Sequence, residues 1–305
     1  MLCYIYIWEG FTVSKKVYVG GQAVIEGVMM RGPHEIATAV REPSGNIVVQ
    51  KEAIRSIGDR YPIMKKPMLR GVVSLVESLV YGLKALSFSA QAAGESEEDK
   101  MTDKEMAMTM LFSLGMAIVL FIIIPTYAAK FMHSIIADPI ALNLAEGVLR
   151  LVIFILYIYA ISRMKDIQRV FMYHGAEHKT IHAYEAGLEL TVDNVRPFTT
   201  LHPRCGTAFL LVVMVVSIVM FAFLGWPDLV ERILSRVILM PVVAGVAYEI
   251  IRYAGRHETS FMRIAIAPGL WLQKLTTKEP TDDQIEVAIR ALNEVRPDRE
   301  NVKEA

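Results

Sequence analysis

Residues 208–226 read Ala-Phe-Leu-Leu-Val-Val-Met-Val-Val-Ser-Ile-Val-Met-Phe-Ala-Phe-Leu-Gly-Trp, without one charged side chain. A hydrocarbon layer about 30 Å thick is crossed by roughly 20 such residues in a helix. Three further runs have the same character: Met106–Phe131, Leu144–Ile161 and Ile233–Tyr253. Inside a bilayer every backbone group must be paired within a helix or a closed barrel. None of the runs alternates strictly, so a barrel is not supported. The expected fold is an α-helical polytopic membrane protein with about four transmembrane helices and a small β-rich amino-terminal cytoplasmic cap.

Composition agrees. The chain has 305 residues, 53% of them apolar, with a mean hydropathy of +0.38. Soluble domains hold about 45–50% apolar residues. Thirty-two basic residues balance 32 acidic ones and the pI is about 7.1, so no electrostatic footprint for nucleic acid exists. Cys3 and Cys205 are the only cysteines and imply no disulfide framework. Met1–Trp8 is apolar but too short for a signal peptide and lacks a basic start.

Lys and Arg near the span ends set the orientation. The connection 163–207 carries Arg163, Lys165, Arg169, Lys179, Arg196 and Arg204, whereas the connection 130–143 carries only Lys130. Both termini are therefore expected in the cytoplasm. The chain divides into a β-rich cap (1–63), an interfacial amphipathic helix with an acidic linker (64–105), a first transmembrane hairpin (106–162), a histidine-rich cytoplasmic loop (163–207), a second hairpin (208–254) and a tail (255–305) with a soluble helix over Thr281–Glu294. In the cap, Ile36–Arg41 and Ile47–Gln50 flank Pro43-Ser44-Gly45-Asn46, which predicts a hairpin. Residues 72–92 repeat apolar side chains at helical spacing, interrupted by Glu77 and Lys84. A basic entry, Lys65-Lys66-Pro67-Met68-Leu69-Arg70, suits anionic lipid heads. A fifth crossing there is the alternative.

The chemistry-bearing string lies between the hairpins: Tyr173-His174-Gly-Ala-Glu177-His178-Lys-Thr-Ile-His182-Ala-Tyr-Glu185. Steps of four put His174, His178 and His182 within roughly 80° of arc on a helix. His202-Pro203-Arg204-Cys205-Gly206 follows at the end of the loop. Neutral imidazole, thiolate and carboxylate are the usual zinc ligands. His174-Gly-Ala-Glu177-His178 also matches the H-x-x-E-H inverzincin pattern, in which two histidines bind zinc and the glutamate is the general base. The expected ligands are therefore His174, His178, His182, His202 and Cys205, with Glu177 as catalytic base. The competing reading is a solvated juxtamembrane helix whose histidines only hydrogen-bond.

Secondary candidates are Glu185, Glu249, His257 and Glu26. Glu249, near the end of the fourth run, is a downstream carboxylate at inverzincin-like separation, or a partner of Arg252. Glu26 lies in Gly20-Gly21-Gln22-Ala23-Val24-Ile25-Glu26-Gly27-Val28-Met29-Met30-Arg31-Gly32-Pro33 and either contacts a substrate or pairs with Arg31. Its glycines suit tight turns or close backbone approach. Glu146 and Arg150, four apart, are expected to pair with each other.

The strings Gly20–Gly32, Tyr173–Lys179 and His202–Thr207 occur in this order in a resemblance that runs from about Tyr18 to Leu275. The chain resembles the YqhQ-like family of bacterial membrane proteins, a domain of unknown function described as predicted metal-dependent enzymes. The resemblance implies a bacterial inner-membrane location and a metal role, which maps most naturally onto His174, Glu177, His178, His182, His202 and Cys205. It implies no particular reaction. The functional expectation is a zinc-type hydrolase at the cytoplasmic membrane face. The alternative is a non-enzymatic partner in a membrane complex or in membrane-protein biogenesis. The expected partners are the lipid bilayer and, in the second case, another membrane protein.

Overall fold

The computed structural model describes residues 19–94, 103–254 and 260–296. The acidic linker Glu95–Asp99, Cys3 and His257 lie outside the described residues. Four strands, β1 (Gly20–Val24), β2 (Gly27–Arg31), β3 (Glu35–Arg41) and β4 (Ile47–Ala53), form an antiparallel meander in sequence order. The β3–β4 hairpin closes with Arg41 opposite Ile47, and Gly45 takes φ +89° in its turn. β2 is buried along Gly27–Met30. Val28, Met30, Ala37 and Ala39 face one side of the sheet, and Val24, Met29, Ile36 and Val40 the other. Successive side chains of a strand point to opposite faces, so a sheet covered on both sides reads as a continuous apolar run.

What covers it comes from distant parts of the chain. A short turn of helix, α1 (Ile57–Arg60), leads to α2 (Leu69–Ala92), which packs on one face through Tyr81, Ala85, Leu86 and Phe88. The other face takes Tyr173 and Ala176 of α6 (Lys165–Glu185) and Ile285, Ala288 and Leu292 of α11 (Asp282–Val295). The cap, the histidine segment and the tail helix thus share one core. The capping box between Thr281 and Gln284 starts α11 close to where the acidic pair Asp282-Asp283 predicts.

The apolar helices form the rest. They are α3 (Asp103–Ile118) and α4 (Ile124–Met132), α5 (Pro139–Ile161), α8 (Gly206–Ala222), α9 (Leu229–Ala254) and α10 (Ser260–Thr276). A turn of π-helix, Val119–Ile123, joins α3 to α4 just before Pro125. Proline cannot donate to the carbonyl four residues back, here that of Phe121. Arg150 of α5 supplies the missing donor, Nε to Phe121 O at 3.0 Å. Arg150 also pairs with Glu146 at 2.9 Å, as the spacing predicts.

Four helices are long and apolar enough to cross a membrane: Leu69–Ala92, Ala107–Met132, Pro139–Ile161 and Val230–Tyr253. Two differ from expectation. The uncharged run 208–226 gives a helix of only 17 residues, Gly206–Ala222, because Gly225 turns left-handed at φ +71° and Pro227 follows. Conversely, α2 has the length and hydropathy of a span, and its Glu77 is buried rather than a solvated interruption. That carboxylate accepts from Arg31 (2.9 Å), the Ser56 hydroxyl (2.8 Å) and the Ile57 amide (3.0 Å). α10 lies in the tail, where only the helix over Thr281–Glu294 is expected, and it runs on through Pro268 and Gly269.

Candidate metal centre

α6 carries the histidine string on a single continuous helix, and Cys205 caps the start of α8, its sulfur accepting from the Thr207 amide. His174 Nε2 lies 3.2 Å from Cys205 Sγ, and the His174 and His178 ring centroids are 4.4 Å apart. One donor atom each from His174, His178 and Cys205 falls within 4.8 Å of the others. A second group of three, His182, Glu185 and His202, meets the same distance criterion. The expected ligands are therefore divided between two neighbouring clusters, linked by the His178 and His202 rings at 5.5 Å.

Tautomers separate the two clusters. A neutral imidazole carries one N–H and one lone pair, and a carbonyl oxygen can only accept. His174 Nδ1 lies 2.7 Å from Thr276 O, and His178 Nδ1 lies 2.5 Å from Thr200 O. Both Nδ1 atoms must donate, which leaves both Nε2 lone pairs on the Cys205 side. Histidines that ligate metals are commonly oriented through their other nitrogen in this way. In the second cluster His182 spends Nε2 on Leu201 O at 2.9 Å. His202 Nδ1 accepts from the Arg204 amide at 3.2 Å, so its Nε2 bears the proton and faces Glu185 Oε2 at 3.7 Å. Glu185 is further held by Arg204. The second cluster is thus tied to Leu201 and Arg204 around it; His182 keeps its Nδ1 lone pair, but His202 has none to offer at the centre.

The electrostatics favour the metal-ready forms in the first cluster. Burial pushes His178 below the usual histidine range, towards neutral imidazole. Burial alone would raise the Cys205 thiol, but His178, whenever its ring is protonated, and hydrogen bonds from Thr207 outweigh it, and the thiol titrates below its usual range. Metal binding requires these deprotonated forms. The donor set of two imidazoles and a thiolate fits a zinc-type ion with a further coordination position.

Glu177 follows the first cluster in space. It is 4% exposed, and burial pushes its carboxyl up to about 8, opposed by the nearby His174. The Gly21 amide of β1 donates to it. A Cβ on Gly21 would stand 2.9 Å from the Glu177 carboxyl carbon, so only glycine allows the strand to approach. Gly175 is similarly pressed against the Lys278 carbonyl, which keeps the 276–278 segment over α6. Gln273, fully buried on α10, clamps His202 twice, accepting from its amide and donating to its carbonyl, both at 2.8 Å. These supporting groups, three of them backbone carbonyls, have no sequence signature. The glycines in the two strings were the one readable hint.

The remaining candidates lie elsewhere. Glu249 is bound bidentately by Arg70, with Nε at 2.7 Å, and not by Arg252; it belongs to the α2–α9 contact. Glu26 does not pair with Arg31. Glu26, at φ 52° in the β1–β2 turn, takes Arg169 at 2.6 Å and the Tyr173 hydroxyl at 3.2 Å, while Arg31 goes to Glu77. Both carboxylates tie elements together.

The family model described as "Protein of unknown function (DUF1385)" matches residues 66–298, from just before α2 to just past α11. The "Uncharacterized protein YqhQ" of Bacillus subtilis (strain 168) is 37% identical over 291 residues, covering 90% of this chain and 91% of that protein. No solved structure matches. Carrying both histidine clusters within the matched region, the chain belongs to the DUF1385 family of proteins of unknown function.

Proposed function

We propose that the chain is a multi-pass protein of the bacterial cell membrane. In this reading His174, His178 and Cys205 hold a divalent, zinc-type metal at the cytoplasmic face, and Glu177 moves the proton in hydrolysis of a membrane-proximal substrate. The bilayer reading is supported by the outward apolar side chains of the helices, such as Leu111, Phe112, Leu156 and Val237, each well exposed. The cytoplasmic reading rests on the basic residues of 163–207 beside the shared sheet core. For α2 the interfacial reading is retained. One side packs on the sheet, and the other presents Val76, Leu79, Val80 and Leu83 outward at helical spacing.

The observation that carries the metal reading is the pair of Nδ1 contacts to Thr276 O and Thr200 O, which aims two lone pairs at one thiol. When bound, such an ion supplies Lewis acidity. His174 and His178 hold their rings in place through the backbone, and Cys205 contributes negative charge. Glu177, buried beside His174, has a proton affinity suited to exchanging a proton near neutral pH. Elemental analysis of the purified full chain tests the reading: about one zinc-type ion per chain is expected, lost in His178→Ala. Glu177→Gln then retains the ion and abolishes hydrolysis. A metal-free wild-type protein, grown and purified with zinc present, overturns the metal assignment.

Burial favours a second reading. His178, Glu177 and Cys205 are 1%, 4% and 7% exposed, as in a closed structural or sensing centre that serves a membrane-protein partner. A four-ligand metal spectrum with no exchangeable position selects this reading over catalysis.

A further inference from the structure

The end of the helical bundle formed by the close of α4, the start of α5, the close of α8 and the start of α9 holds a second polar cluster, remote in the chain from the histidines. Its anion is Glu146, 1% exposed. Glu146 accepts from Arg236 at 2.5 and 2.9 Å, from Arg150 at 2.9 Å and from the Thr126 hydroxyl at 3.2 Å. Its lone pairs are used by these partners. A third guanidinium, Arg232, is 6% exposed and lies with Cζ 3.9 Å above the Trp226 ring. Among the described residues it makes no side-chain hydrogen bond or ion pair, and its Nε is buried without a partner. The Trp226 face and the nearby Glu146 carboxylate offset part of its charge, but the buried Nε is left without an acceptor, which is unfavourable.

Arg232 lines a cavity of about 430 Å³ together with Thr126, Tyr127, Lys130, Trp226, Pro227 and Asp228. Asp228 is committed to the start of α9, where Oδ1 accepts from the Glu231 amide at 2.9 Å. The cavity lining holds two cations (Lys130, Arg232) and one anion (Asp228), and the adjoining cluster sets Arg150 and Arg236 against the single carboxylate of Glu146, so both carry an excess of positive charge. We propose that this cavity binds the phosphate group of an anionic ligand, with Arg232 as the principal donor and Lys130 at the mouth. Guanidinium groups match phosphate geometry. The cavity is larger than a bare phosphate, and exposed Tyr127, Phe131, Val230 and Leu234 flank it, which favours a phospholipid headgroup whose chains follow the outer wall. That source rests on the bilayer reading above; the anion site itself does not.

The test compares full-length wild type, Arg232→Gln and Lys130→Gln in detergent by native mass spectrometry. The probes are phosphatidylglycerol, phosphatidylcholine of the same chains, and inorganic phosphate. Wild type is expected to retain phosphatidylglycerol in preference to phosphatidylcholine, and Arg232→Gln to weaken that binding by about tenfold, the loss of a charge-assisted hydrogen bond. Lys130→Gln, at an exposed side chain, serves if Arg232→Gln does not fold, and weakens binding by about threefold. Inorganic phosphate binding that is lost in these variants, without lipid preference, assigns the site to free phosphate. Lipid and phosphate binding equal in wild type and variants overturns the proposal. Partition of the chain into water without detergent sinks the bilayer reading alone, because phosphate binding still reports on Arg232.

Discussion

Two clusters of metal-type side chains lie side by side along α6, and only one directs all its ring lone pairs at its centre. His174, His178 and Cys205 meet with both free lone pairs on the sulfur side; His182, Glu185 and His202 meet just as closely, but His202 turns a protonated nitrogen towards Glu185. Residue type, burial and proximity are nearly the same. The difference is which ring nitrogen a backbone carbonyl or amide has claimed. Proximity of histidines is therefore a weak criterion for a metal site, and the state of the opposite nitrogen is a strong one.

The largest effect expected from this contrast is on metal occupancy. His178→Ala lowers zinc affinity by about 100-fold or more, whereas His182→Ala leaves stoichiometry unchanged, both read by competition with a chromophoric chelator. Equal losses in the two variants would merge the clusters into one site. Next, Gln273→Ala strands two buried backbone groups of His202 and costs about 2–4 kcal/mol of stability. Because it touches the second cluster, folded protein keeps its metal; denaturant unfolding with parallel metal analysis checks both halves. Gly21→Ala presses on Glu177 and on the Met29 carbonyl, 2.7 Å from the new methyl, and costs about 1–3 kcal/mol. If stability is unchanged, the close approach of β1 to α6 is wrong.

The smallest effect is on pH dependence. Burial pushes His182 and His202 down to about 4 from 6.5. Between those values the unfolded chain takes up protons that the folded histidines refuse, so their contribution is full above about 6.5 and fades as pH falls. Glu177, raised from 4.5 to about 8, works in the opposite sense: its folded-state proton stabilises below about 4.5 and that contribution is lost as pH rises to 8. With His178 also pushed down by burial, these histidines outweigh one glutamate below 6.5, and above it the glutamate draws stability down. Metal-free protein is therefore most stable at about pH 6.5–7, by about 1 kcal/mol or more over pH 5. A Tm that climbs steadily from pH 5 to 8 removes the glutamate from this balance.

The apolar runs, the β3–β4 hairpin, the Glu146–Arg150 pair and the helix bearing three histidines on one face were legible because each depends on local spacing. The stopping of α8 at Ala222 and the continuation of α10 through Pro268 were not. In the first a left-handed glycine ends a run that hydropathy alone would extend; in the second tertiary packing overrides a breaker. The pairings of Glu26, Glu77 and Glu249 were also hidden, since each arginine partner lies 46 or more residues away.

Sequence alone settled which side chains are available and where most of the apolar runs lie, because hydrophobic periodicity and metal-type chemistry are properties of neighbours along the chain. The tertiary structure decided how the candidate ligands divide, since that choice is made by the carbonyls of Thr200 and Thr276 and the amide of Arg204. Nearly every residue has such backbone groups, so its identity carries no sign of where they will point.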